Sequence, residues 1–152
     1  MIEVFGVPIF APAEWNYTML NHAASILGEL IDNDNDGCAD DLNVLNKLVE
    51  PRKCLAGENC KVCHMLVNSD DDMDDGTAIL EAAGYIAATA QWLGETIPQC
   101  SGLNFTPTCC DASIEEIFHL VTSQGHSFAY PGIFGNKWRS HSSLTDAMDI
   151  AR

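Results

Sequence analysis

The chain is short of positive charge. It carries 7 Lys and Arg against 22 Asp and Glu, a formal charge of −15 over 152 residues. That argues against nucleic acid as a partner, because phosphates are bound by clustered Lys and Arg. It disfavours anionic membrane surfaces for the same reason. Long apolar runs are also lacking, and nothing approaches the ~20 residues that span a bilayer. The opening MIEVFGVPIFAPAEW has no basic n-region, and Pro8 and Pro12 interrupt its apolar stretch, so it does not read as a signal peptide. The chain then reads either as mature, with Met1 in place of a leader, or as intracellular. Linkers and internal repeats are absent apart from two acidic loops, which points to one domain over residues 1–152. With 47% hydrophobic residues, that domain has material for a core. Its surplus of carboxylates makes cations the natural partners; the plainer reading is a solvated acidic surface.

Cysteine is plentiful: Cys38, Cys54, Cys60, Cys63, Cys100, Cys109 and Cys110. Their spread through loop-like stretches suggests disulfides and an oxidising, extracellular compartment. The odd count leaves one thiol free or paired between chains. Two glycosylation sequons, at Asn16 and Asn104, agree with secretion.

Periodicity gives a coarse map. EVFGVPIFAP reads as one strand ended by proline. Tyr17, Leu20, Ala24, Leu27 and Ile31 recur at steps of three and four and predict a helix over 15–31. A short helix with Leu42, Leu45, Leu48 and Val49 is stopped by Pro51. Residues 52–60 read as a loop and KVCHMLVNS as a strand. Ile79, Ala83, Ile86, Ala90 and Leu93 predict a small-residue helix from Thr77 to Leu93. Residues 94–112 read as a tethered loop, and a last helix starts near Ser143 and is still amphipathic at Arg152. That ending suggests a truncated or processed product. The expected fold class is α+β, mainly helical: a compact disulfide-bonded domain containing a helix–calcium loop–helix unit.

The loop in question is DNDNDGCADDLN, residues 32–43. Asp32, Asp34 and Asp36 alternate and Gly37 permits a sharp turn. The Cys38 carbonyl and Asp40 would supply further oxygens. Calcium takes six to eight oxygens, and this spacing wraps carboxylates around one point. The loop resembles those of EF-hands, dockerins and thrombospondin type 3 repeats. It departs from the EF-hand at its twelfth residue, Asn43, which offers one neutral oxygen where a bidentate Glu is usual. That implies weak, extracellular-range affinity. An Asp/Asn/Gly turn with capping roles is the structural alternative. The second run, DDDMDDG, reads better as carboxylates at a helix N-terminus than as calcium ligands.

Cys60-Lys61-Val62-Cys63-His64 matches the CxxCH haem-attachment spacing. In so cysteine-rich a chain, plain disulfides are the preferred reading over haem or a cysteine metal site.

SIEEIFHLVTSQGH, residues 113–126, predicts a helix with an Ile114, Ile117, Phe118, Val121 face. Glu115 and His119 lie together on its flank, and His126 joins them if the helix carries past Gly125. The pentad EEIFH resembles the HExxH helix of zincin metallopeptidases. The resemblance implies Glu115 and His119 as ligands of Zn2+ or Cu2+, with Glu116 as general base for a metal-bound water. Glutamate in place of the first histidine puts peptidase activity in doubt, and the third ligand would be His126, His141 or His22. A Ser113/Glu116 capping box explains Glu116 without any chemistry.

The order DNDNDGCADD, EEIFH, AYPGIFG, AMDIAR resembles a family of uncharacterised secreted proteins of marine organisms. That resemblance implies no activity, and it implies a chain continuing beyond Arg152. The expected function is a secreted acidic metal-binding protein. The alternatives are a non-enzymatic calcium-binding protein of an extracellular matrix or fluid, and a disulfide-rich toxin or defence protein.

Overall fold

The computed structural model describes residues 1–13, 15–55, 57–92, 111–135 and 141–150. The N-terminal segment forms a hairpin where the sequence suggests one strand. β1 (Ile2–Val4) and β2 (Val7–Phe10) pair antiparallel across Phe5-Gly6. Both turn residues have positive φ, 49° and 85°, the conformation of a primed two-residue turn. α1 (Tyr17–Ile31) starts at Asn16, whose side chain accepts the Met19 N–H at 2.9 Å. It buries Met19, Ala23, Ala24, Leu27 and Ile31, while Tyr17 is 73% exposed. α2 (Leu42–Val49) is capped by Asp41 and buries Val44 and Leu48, leaving Leu42 exposed.

The expectation of a mainly helical chain is overturned. About 49% of the structure is helix and 24% strand, and a mixed five-stranded sheet runs through it. Two stretches account for this. Residues 52–60, expected as loop, form β3 (Arg52–Cys54) and the start of β4 (Gly57–Val67). The helix expected over 77–93 divides at Gly84. The acidic run is itself helical, α3 (Asp70–Ala82), with Ser69 accepting the Asp72 N–H. Gly84 then turns at φ 86°, and β5 (Tyr85–Trp92) follows. Left-handed φ after a helix favours glycine, and the β-branched and aromatic Tyr85, Ile86, Thr89 and Trp92 favour strand. The alanines between them carry a misleading helical period.

β4 lies at the centre. It runs parallel to β2 (Ile9 opposite His64) and to β5 (Val67 opposite Trp92), and β3 pairs antiparallel with its first residues. One sheet face carries Val62 and Leu66 and packs with Leu27, Ile31, Val44, Leu48, Ile117 and Leu120. The other carries Cys63, Met65 and Val67 and packs with Leu80 of α3. Parallel strands covered by helices on both faces read as near-continuous apolar runs, which VCHMLV matches.

α4 (Ala112–Leu120) passes through a π turn (Val121–His126) into α5 (Ser127–Ala129). The helix starts two residues earlier than the capping-box reading requires. Asp111 is its N-cap and accepts the Ser113 N–H at 3.0 Å, and Ser113 is fully buried. Ile117, Leu120 and Val121 are buried, whereas Ile114 and Phe118 are 57% and 52% exposed. α6 (Ser143–Ile150) begins where the sequence places it.

Candidate metal centre

The 32–43 loop joins α1 to α2, so the expected helix–loop–helix arrangement is present. Asp32 is its anchor. The side chain is nearly buried, and its two oxygens accept the N–H groups of Asp36 (3.1 Å) and Gly37 (2.9 Å). Gly37 takes φ 87° and Asn35 φ 58°, which folds the loop back on Asp32. Asp40 closes it from the far side, with Oδ2 accepting the Asn33 N–H and its own N–H bonding the Ile31 carbonyl.

The result is a triad. One carboxylate oxygen from each of Asp32, Asp34 and Asp40 lies within 4.8 Å of the others. The remaining residues of the sequence pattern have contacts of their own. Asp36 accepts the Cys38 N–H at 2.8 Å and stands outside the triad. Cys38 is exposed with a free thiol, and the Asp36 carboxylate beside it raises its pKa. Asn43 donates from Nδ2 to the Tyr130 hydroxyl at 3.1 Å, so its amide is engaged with α5's exit. The Tyr130 hydroxyl in turn donates to Asp41 at 2.7 Å, which holds the Asp41 carboxyl below its ordinary range.

The zincin-like helix gives less. Glu115 and His119 are neighbours, Oε1 to Nε2 3.8 Å, with side chains 69% and 58% exposed. His126 is not brought to them. Its Nδ1 faces the Val121 carbonyl at 3.3 Å, and its ring packs on Phe134 at 4.9 Å. The π turn is the reason: i→i+5 bonding slips the helical phase between His119 and His126. His22 pairs with Asp111 at 2.7 Å and His141 faces Asp146 at 3.4 Å. Glu116 is half-buried. Among the described residues the acidic triad is the one group of three ligand atoms within that distance.

Cys60 of the CxxCH pentad is disulfide-bonded to Cys54 across the β3–β4 hairpin. Cys63 is buried and free, its thiol pushed up to about 12 by burial. His64 is also fully buried. The pentad is therefore strand and core, not a haem attachment. Cys100, Cys109, Cys110 and the Asn104 sequon lie outside the described residues. Asn16 of the other sequon spends its side-chain oxygen on the α1 cap.

Sequence reading missed two polar groupings. One is Tyr130–Asp41–Asn43, whose members lie up to 89 positions apart. The other runs from His64 through Gln91 to Ser113 (3.2 and 2.6 Å), inside the core. No local signal marks the first; a polar residue within the apolar run VCHMLV is the cue for the second. No helix among the described residues is long and apolar enough to cross a membrane. Comparison of the chain with protein-family models, with curated proteins and with solved structures returns no match.

Proposed function

We propose that this is a non-enzymatic, secreted calcium-binding protein whose site is the loop between α1 and α2. The observation that carries this reading is the convergence of Asp32, Asp34 and Asp40. Two like charges ~4 Å apart cost about 1 kcal/mol in water and about 4 kcal/mol near a protein surface. Asp32 is only 6% exposed, and no Lys or Arg pairs with it among the described residues. A divalent cation removes that cost and supplies the missing positive charge. Calcium suits the donor set, which is all oxygen, and tolerates irregular geometry. Three carboxylates without a bidentate Glu support an affinity in the 10⁻⁴–10⁻³ M range of extracellular modules. Secretion is part of the proposal; the Cys54–Cys60 disulfide supports it.

Glu115 and His119 supply two ligands for Zn2+ or Cu2+ without a third beside them among the described residues, so no hydrolytic step is assigned to Glu116. No described residue favours a toxin or defence role.

Calorimetric titration with calcium tests the proposal. Binding near one equivalent that is lost in Asp34→Asn supports it. No heat and no thermal stabilisation at 10 mM calcium would sink it.

A further inference from the structure

α4 is fastened to the sheet by a buried polar chain. His64 lies on β4 with no exposed surface, its Nδ1 2.8 Å from Thr89 Oγ1 and its Nε2 3.2 Å from Gln91 Oε1. Gln91 Nε2 donates to Ser113 Oγ at 2.6 Å, in the first turn of α4. Gln91 and Ser113 have no exposed surface either. The β4–β5 register slips between Cys63 and His64, so that His64 opposes Thr89 where Ala88 would otherwise stand. This bulge puts Thr89 and Gln91 on the same sheet face as the imidazole.

We propose that the His64–Gln91–Ser113 chain is an acid-sensitive latch, which holds α4 on the sheet while His64 is neutral and releases it on protonation. The hydrogen bonds accommodate the neutral ring, and burial favours it. Because the Gln91 amide nitrogen is committed to Ser113, its oxygen faces His64, and Nε2–H donates to it. In the neutral ring Nδ1 accepts from the Thr89 hydroxyl. A second proton on Nδ1 would put a full charge into an apolar interface.

Among the described residues no facing group offsets that charge. β2 (VPIF) contains no titratable residue, and from β5 the ring meets only Thr89 and Gln91. On β4, Cys63 points to the opposite core and Lys61 is exposed. Asp111, at the start of α4, is engaged by His22 of α1 and by the Ser113 N–H. Glu115 and His119 are exposed and Glu116 half-buried. Burial is accordingly the main influence on His64 and lowers its pKa from 6.5 to about 4, with the Gln91 hydrogen bond opposing it.

The sign follows. The opened state binds the proton more readily, so the closed state is at full strength above about pH 6.5 and loses stability as pH falls towards about 4. Between pH 7 and pH 5 the opening constant rises about twentyfold. Opening exposes Ile117 and Leu120, the apolar face of α4.

Amide hydrogen exchange on the whole protein, corrected for intrinsic rates, tests this at Gln91, Ile117 and Leu120. The wild type should show the twentyfold rise, and His64→Gln, which keeps a polar amide but cannot titrate, should stay flat. An equal rise in both proteins, or none in the wild type, overturns the latch. Should His64→Gln fail to fold, the wild-type ring decides. Ring ¹⁵N shifts that report protonation together with opening support the latch. Protonation while the α4 amides stay protected overturns it.

Discussion

The hydroxyl of Tyr130 donates to Oδ2 of Asp41 at 2.7 Å, joining the exit of α5 to the residue that caps α2. Asp41 also accepts the N–H groups of Asn43 and Val44 through Oδ1. Tyr130→Phe removes this hydrogen bond to a charged acceptor and the exposed one from Asn43 Nδ2, while leaving the cap in place. The expected loss is about 1–2 kcal/mol, read as a lower urea midpoint with unchanged m. Tyr130 holds the Asp41 carboxyl below its ordinary value, so this contribution is present at neutral pH and fades as pH falls through the folded-state value. The difference between wild type and Tyr130→Phe should therefore shrink in acid.

The acidic triad makes a sharper demand. Asp34 is exposed, and its one hydrogen bond, from the Asp36 N–H at 3.3 Å, survives in Asp34→Asn. The variant should fold as well as the wild type without calcium and bind calcium at least tenfold more weakly. At a calcium concentration 100 times its Kd the wild type gains about 2.7 kcal/mol. A melting curve with and without calcium reads this directly, and equal shifts in both proteins would count against the triad.

Gly125 sits in the π turn against α2. A Cβ there would meet Val44 Cγ1 at 2.7 Å and Leu48 Cγ at 3.3 Å. Alanine is the better helix former by about 1 kcal/mol, but the clash is with a stiff β-branched side chain. Overpacking of this kind costs about 1–3 kcal/mol, so Gly125→Ala should destabilise on balance. Gly125→Ala combined with Val44→Ala should recover part of that loss.

Arg52 fixes the same corner. Its guanidinium donates to the carbonyls of Lys47 and Gln124 and to the Gln124 side chain, and it stacks on Phe128 at 4.1 Å. Lysine keeps the charge but cannot form the fork, so Arg52→Lys should cost about 2 kcal/mol in chemical denaturation. A loss below 0.5 kcal/mol would show the clasp to be incidental.

The disulfide closes only the short span from Cys54 to Cys60. Chain-entropy reasoning gives about 2 kcal/mol for so small a loop, so the Cys54→Ala, Cys60→Ala pair should stay folded with a lowered midpoint.

Local chemistry was legible in the sequence. Pro51 and the spacing of Ala24, Leu27 and Ile31 mark α1 and the end of α2, because helical period and a proline stop act between near neighbours. The alternating aspartates and Gly37 specify a loop that gathers carboxylates, since the turn itself places them. Tertiary structure decided the rest. It turned Asn43 to Tyr130 and Asp36 to a backbone N–H, leaving Asp32, Asp34 and Asp40 as the converging set. It drew Tyr85–Trp92 into a strand, because β4 offered a parallel partner and α3 a cover, and packing outweighs an alanine-rich helical period. It also separated His126 from Glu115 and His119. A π turn depends on how a helix end meets its neighbours, here the close approach of Val44 to Gly125, and five residues of motif do not encode that meeting.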